Sequence, residues 1–467
     1  MSEQPLHKKA VIIGAGISGL CCTHKLAQSL GAENVLCLEA GSRAGGYIQS
    51  ENIDGYICDI GPNGFLDKEP ATLDWIDQLG ISDELIRANE AAARRFLLLK
   101  NRLVEMKPPA AFLLSPALSI PGRLRLMREP FIPQKTDDSP ESIWDFAARR
   151  IGPEAADNLV SAMVLGVYGG DAKKLSLTHC FPRMAEMERV HGSLIKAMIA
   201  GKKAGTAKGG PSGPGGTLTT FKTGIGRLTQ RAAEVVSDSL KLNTPVASIT
   251  KSQDGTFRIS TGDNNQIYTA DTLICALPAH ASADLFRELA PDLPQAFAHV
   301  RSEPIAVVCT GHERTDVPHK MDGFGFLVPP NQNKSVLGCI WTSSLFDNFA
   351  PENRVYLRTM IGGAIHPEHV EQSDDQLLSH VRDDVFPHLG IKTDPQFLKI
   401  YRHLRGIPQY TLDHAKTLTA LSKAESDHPN LHFTGNSYHG ISMNDCVKHA
   451  CEVTDRETVS LTSTEPQ

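Results

Sequence analysis

The sequence predicts an α/β protein with a second, α+β lobe, and three observations carry that reading. A strand, a glycine-rich turn, a helix and a second strand follow one another between Ala10 and Glu39. From Ile305 to Gly362 short alternating runs succeed one another, the pattern of an antiparallel sheet. Near the far end Leu431-His432-Phe433-Thr434 reads as a strand that stops at Gly435, with a helix beginning near Asn444. The first lobe is therefore expected to draw on both ends of the chain and on its middle.

Ala10-Val11-Ile12-Ile13 is an apolar run that fits a buried parallel strand. It enters Gly14-Ala15-Gly16-Ile17-Ser18-Gly19, after which Leu26 and Leu30 lie one helical turn apart. Val35 to Leu38 forms the second strand and ends in Glu39-Ala40, with Glu39 twenty residues beyond Gly19. That is the spacing of a ribose-binding acid in a Rossmann-like unit. Gly14 permits the tight turn, Gly16 lets backbone approach a pyrophosphate, and Gly19 brings helix against strand. The helix start, Ser18 included, offers unpaired N–H groups to phosphate. Glu39 can accept from two ribose hydroxyls and would repel a 2′-phosphate. Two later segments, Arg43-Ala44-Gly45-Gly46 and Cys58-Asp59-Ile60-Gly61-Pro62, suit a long dinucleotide held permanently, which favours FAD over NAD. Arg43 can neutralise its phosphates.

The 467 residues carry a net charge of −6, with 41% hydrophobic and 21% charged residues. No lobe-sized basic excess exists to gather phosphates, so no nucleic-acid partner is expected. No run of about 18 apolar residues is free of charge or proline, which argues against a spanning helix. The polar start, Met1 to Lys9, is too short for a signal or transit peptide, and a cytoplasmic location is expected. Between Pro108 and Pro133, Phe112, Leu113, Leu114 and Ile120 mix with Arg123, Arg125 and Arg128. Two readings stand equally there: short helices over a cleft, or a peripheral patch on the inner face of the cell membrane. Ten scattered cysteines form no C-x-x-C, and eighteen histidines no H-E-x-x-H, so neither a disulfide framework nor a metal is expected. His366 and His369 read as part of a solvated loop.

Trp75 to Leu85 and Asp145 to Val167 are expected to be helical, with a turn at Asn101-Arg102 between them. Lys202 to Gly216 is the only low-complexity stretch and is expected to be a mobile surface loop. Strands are expected over Val246–Thr250, Thr256–Thr261 and Tyr268–Ala276, with a polar turn at Asp263 to Asn265. Val355, Leu357, Thr359 and Ile361 face one way on their strand, Tyr356, Arg358 and Met360 the other. Ser373 with Gln376 is a capping-box pattern, and Leu377, Val381 and Val385 form the stripe of the helix it starts.

The opening resembles the flavin-containing amine oxidase superfamily, whose members follow glycine motif and acid with R-x-G-G. Four further segments, together spanning almost the whole chain, resemble the oxygen-dependent, FAD-containing protoporphyrinogen oxidases. They are Gly166-Val167-Tyr168-Gly169-Gly170-Asp171 with Lys174-Leu175-Ser176, Gly323-Phe324-Gly325-Phe326-Leu327-Val328-Pro329, Ile407-Pro408-Gln409-Tyr410, and Gly435 through Cys446. Gly406 departs from the family, standing where alanine is common. The resemblance implies a p-hydroxybenzoate hydroxylase-like arrangement of three lobes. An FAD-binding lobe would take 1–75, 221–285 and 405–467; an antiparallel-sheet substrate lobe, 76–108 and 286–404; a helical membrane-associated lobe, 109–220. The implied reaction is a six-electron oxidation of protoporphyrinogen IX to protoporphyrin IX in three rounds of flavin reduction. O2 would be the acceptor and hydrogen peroxide the product, with a homodimer and hand-over to a ferrochelatase among the implied partnerships.

The same resemblance implies the site. Val246, Gly435, Gly440, Ile441, Ser442 and Met443 would join the opening's residues around FAD. Arg95 would pair with a propionate, with Arg94 as its rival. Phe324, Gly325 and Leu327 would sandwich the pyrrole rings, Met360 would form the opposite wall, and Gly169 would offer its carbonyl to pyrrole N–H groups. No side chain is assigned as general base. The alternatives are coproporphyrinogen III oxidation to coproporphyrin III, which calls for a more basic cleft, an amine oxidase or phytoene-type desaturase, and a non-catalytic flavoprotein.

Overall fold

The structure, a computed structural model, describes residues 5–106, 115–203, 215–262 and 266–463. Leu6–Ile13 lies inside a seven-stranded mixed sheet, parallel to Val35–Leu38 on one side and to Ile267–Cys275 on the other. Leu431–Phe433 adds a further parallel strand beside Ile267–Cys275, and Phe257–Thr261 pairs antiparallel with that strand's first half. Val11 and Ile12 have no exposed surface, as a strand covered on both faces requires. One face carries the first helix, Ile17–Leu30, and the last, Met443–Ser463, which pack together so that Cys22 Sγ meets Ala450 O at 3.8 Å. The other is covered by Phe286, Phe297 and Tyr438.

The second seven-stranded sheet runs in the order Phe397–Pro408, Ser302–Glu313, Arg354–Gly362, Val336–Ile340, Gly325–Leu327, Phe96–Leu99, Arg102–Glu105. It is antiparallel except where Gly325–Leu327 runs parallel to Phe96–Leu99, so the sheet is mixed rather than purely antiparallel. Val355, Leu357 and Ile361 bury against Leu377 and Val381 of the helix Asp374–Asp384 and against Val385, which caps it. Tyr356 and Met360 project from the opposite face. Ser373 forms the expected capping box, its Oγ accepting from Gln376 N–H and its own N–H donating to Gln376 Oε1.

Several local expectations shift. The helix read over Trp75–Leu85 is Pro70–Gln78, because Pro70 suits a first turn and Gly80, at φ +72°, ends the run. The turn after Leu99 uses Lys100 and Asn101, both at φ near +50°, which closes a two-residue hairpin. The segment after Ile143 is helical with a π-turn at Ala156–Val160. It is braced by fully buried Arg150, which binds Glu129 and Glu188. Lys202 and Lys203 belong to the helix Leu194–Lys203, not to a loop. Residues 204–214, Phe112, Leu113, Leu114 and the turn at Asp263 to Asn265 lie outside the described residues. Among the described residues no helix is long and apolar enough to cross a membrane. All ten cysteines are free.

Candidate active site

The first helix starts against open space. Gly16 caps it in extended conformation with no side-chain cap, and a Cβ placed there would meet nothing within 4 Å. Gly46 closes over it, 3.4 Å from its Cα by the same measure, and Gly45 N–H donates to Ala15 O at 2.8 Å. Gly19 is closed instead, since a Cβ would sit 1.8 Å from Gly14 O. Glu39 is held by the chain: Ala15 N–H donates to one carboxylate oxygen and Gly41 N–H to the other, each at 2.8 Å. Each oxygen keeps a lone pair for a ribose hydroxyl. Thr244 N–H donates to Glu39 O at 2.8 Å, which brings Val246 to the same rim as exposed Ala40 and Arg43.

The C-terminal motif returns to this point. Gly435, at φ +113°, faces Ser18, whose Oγ would lie 4.0 Å from its Cβ. Ser442 caps the last helix, which begins at Met443: its Oγ accepts from Asp445 N–H at 3.1 Å and donates to Asp445 Oδ2 at 2.6 Å. Tyr410 fastens the strap, its hydroxyl donating to Asn436 O at 2.7 Å and accepting from Gly440 N–H at 2.9 Å. Ile441 packs against the helical segment near Val164 and Tyr168. Gly61, followed by exposed Pro62, lies against Tyr47, whose carbonyl oxygen would be 2.1 Å from a Cβ. Beyond them Asn63 Nδ2 is buried without a partner, and so is Asn444 Oδ1, although Asn444 Nδ2 donates to Leu66 O at 2.9 Å. An empty place at a helix start, an anchored acid and two orphaned amide atoms fit a long dinucleotide bound along this line.

On the second sheet Gly325, at φ +132°, turns the chain so that Phe324 and Leu327 are half-exposed while Phe326 is buried on the helix side. Phe324 shares an apolar cluster with Leu165, Ile340, Met360 and Ile407, and Leu327 packs on Gly166. The Arg95 guanidinium sits 5.3 Å from the centre of the Phe324 ring. The residue is exposed, yet the protein around it desolvates the charge enough to lower its pKa, and among the described residues no acid pairs with it. Arg94 is committed: it pairs with Glu105 at 3.0 Å and with Asp322.

The sequence matches the family described as flavin containing amine oxidoreductase over residues 17–456. The chain belongs to that family. It is 29% identical to coproporphyrinogen III oxidase of Bacillus subtilis (strain 168), over 94% of this chain and 96% of that one. It is 31% identical to chloroplastic protoporphyrinogen oxidase of Nicotiana tabacum, over 96% and 85% respectively. A crystal structure of an Exiguobacterium sp. 255-15 protein has the same fold, with a TM-score of 0.82 at 22% identity over 97% and 99% of the chains. The protein is an FAD-dependent oxidoreductase.

Within this flavin oxidoreductase two glycines of the expected substrate wall also have a structural role. A Cβ at Gly325 would lie 2.1 Å from Cys339 O, so the neighbouring strand by itself already requires a glycine there. Gly169 caps its helix in the left-handed region, and its carbonyl accepts from Ala364 N–H at 2.7 Å, which leaves its second lone pair for a pyrrole N–H. Two residues had no assigned role. Arg358, buried on the Met360 side, donates to Gly61 O and leaves its Nε without a partner. Asp59, whose carboxyl burial raises to about 6, accepts from Ser50 Oγ at 2.6 Å and Ile225 N–H at 3.0 Å. A lone arginine amid apolar positions of an alternating strand was the available signal for the first.

Proposed function

We propose that the chain oxidises protoporphyrinogen IX to protoporphyrin IX. The observation that carries this reading is Arg95, without an acid partner among the described residues, set over Phe324 at an apolar wall shared with Met360. A wide apolar macrocycle bearing propionates needs that combination. The name of the relative at 31% identity, protoporphyrinogen oxidase, supports it. Four hydrogens leave the meso carbons and two leave pyrrole nitrogens, and three O2 are reduced to three hydrogen peroxide. FAD supplies the two-electron acceptor in each round. Arg95 fixes a propionate, and Phe324, Leu327 and Met360 exclude water and hold the ring plane. Arg358, through Gly61 O, positions the strap that runs on to Pro62 and Asn63. The capped end of the last helix favours negative charge at the strap.

In this reading the three lobes follow the ranges given above, with the nucleotide lobe split between 1–75, 221–285 and 405–467. The helical lobe rests on a lipid surface at the inner face of the membrane. Ile120, Leu124 and Met127 lie along one side of the helix Ile120–Met127, 71%, 56% and 54% exposed, and Phe131 beyond it is 84% exposed. Arg123 and Arg128 stand beside them for anionic headgroups. A cytoplasmic location, a homodimer and hand-over of the porphyrin to a ferrochelatase complete the proposal. A second reading, coproporphyrinogen III to coproporphyrin III, is favoured by the match to the Bacillus protein over 94% of this chain. The deciding experiment mixes each chemically reduced porphyrinogen anaerobically with the FAD-loaded protein. Bleaching of the flavin by protoporphyrinogen supports the first reading, and bleaching by coproporphyrinogen alone transfers the assignment. Bleaching by neither overturns both, and peroxide formed on admitting air tests the acceptor.

A further inference from the structure

The strand Arg354–Gly362 runs out through Gly363 and Ala364 into a short 3-10 turn, Pro367–Glu371. That turn replaces the solvated loop expected for His366 and His369, because with three residues per turn, positions i and i+3 eclipse. The two imidazole rings stack with centres 4.5 Å apart and planes 7° apart. His380, from the helix Asp374–Asp384, stacks on the other side of His369 at 4.5 Å and hydrogen-bonds Gln372 at 2.8 Å. Glu368 closes the group, its Oε1 lying 3.4 Å from His366 Nδ1 and 3.6 Å from His369 Nε2. One donor atom from each of the three residues lies within 4.8 Å of the others.

We propose that His366, Glu368 and His369 bind one divalent ion of the zinc class, with water completing the coordination. The distances argue for it directly. Zinc–ligand bonds of about 2.0–2.1 Å at tetrahedral angles set neighbouring donor atoms about 3.4 Å apart. Both edges to Glu368 are already close to that length; the edge between the histidines has to close, and the two stacked rings have to turn so that their lone pairs converge on the ion. Two imidazoles and one carboxylate form a donor set suited to zinc, nickel or copper, whereas calcium and magnesium take oxygen ligands. His369 Nδ1 is buried without a hydrogen-bond partner, so Nε2 is the nitrogen the ring presents. A ligand imidazole without an outer partner binds about 10–100-fold more weakly than a supported one, which sets the expected affinity in the micromolar range.

The position gives such an ion a consequence. Ala364 N–H holds Gly169 O at 2.7 Å, and Gly363 N–H holds Pro304 O at 2.7 Å. An ion on the turn therefore tightens the end of the sheet that carries Met360, whatever the substrate is.

The test uses the FAD-loaded full chain without a polyhistidine tag, titrated with zinc chloride in a calorimeter. One equivalent should bind, and His366→Ala or His369→Ala should each weaken binding at least tenfold with bound FAD unchanged. Glu368→Gln, an exposed change that leaves folding intact, should weaken it as well. Cobalt in place of zinc should give the visible absorption of a low-coordinate nitrogen–oxygen site, lost in the same variants. No saturable binding below about 100 μM zinc, a value well above the expected dissociation constant, would overturn the proposal. Equal binding by the His366→Ala/His369→Ala double variant would overturn it too.

Discussion

At the start of the first helix the place of Gly16's missing side chain is empty for 4 Å around, whereas in the second sheet the place of Gly325's is filled by the Cys339 carbonyl 2.1 Å away. Both glycines sit in motifs that a ligand would touch. One leaves open space at the helix start, where our proposal seats the dinucleotide, and the other makes room for the protein's own backbone. Two adjacent arginines divide the same way. Arg94 is saturated by Glu105 and Asp322, while Arg95 lies over Phe324 with no acid partner among the described residues. What separates a binding residue from a packing residue here is the occupancy of the space it faces, not its motif.

Five measurements would break or sharpen that contrast. The largest effect is expected for Gly19→Ala, whose Cβ would collide with Gly14 O at 1.8 Å. It should cost about 4 kcal/mol or more in urea unfolding of the FAD-free chain, and a cost below about 1 kcal/mol would break the packing assignment. Gly325→Ala combines a backbone collision with φ +132° and should cost about 3 kcal/mol, while the molecules that remain folded stay yellow.

Asp59 tests the strap that passes behind Gly61. Its carboxyl is raised from 3.8 to about 6, so the folded chain holds this proton more tightly than the unfolded one. The group therefore carries no penalty below about pH 4, and the penalty grows as pH rises through about 6 to roughly 3 kcal/mol. Asp59→Asn should gain on the parent by up to that amount between pH 4 and pH 7.5, about two pKa units' worth. Parallel stability–pH curves would show that the buried carboxyl does not titrate there.

Gly16→Ala is the counterpart of Gly19→Ala. It should cost FAD-free stability only about 1 kcal/mol, the loss of a tolerated cap, yet weaken FAD binding about a hundredfold, or about 2.7 kcal/mol. Unchanged FAD affinity would refute the cradle. Arg95→Ala should raise KM for the porphyrinogen about ten- to thirtyfold with the flavin spectrum intact, and Arg94→Ala should leave KM within about twofold. Loss of FAD from the Arg95 variant would refute its placement at the substrate.

The strand–turn–helix–strand unit with its acid was legible in the sequence because it is local, occupying Ala10 to Glu39 without a break. The two faces of the strand ending at Gly362 were legible for the same reason, since alternation fixes them. What could not be read depends on distant partners. The commitment of Arg94 needs Asp322, and the bond to the Gly169 carbonyl needs Ala364. The shared side of Phe324 and Leu327 needs the positive φ of Gly325, which breaks the strand's period. The histidine stack was missed because a five-residue 3-10 turn is too short to show periodicity.

The first helix shares a flank of the nucleotide sheet with residues 443–463, and Gly435 faces Ser18 across the cradle. A ribosome making this chain therefore releases the cradle's first wall long before its second. Elements from the middle of the chain, among them Leu228 and Ala232, can cover part of that first helix early, but the face of Cys21 and Cys22 that meets Cys451 and Ala450 gains its cover only when the last helix emerges.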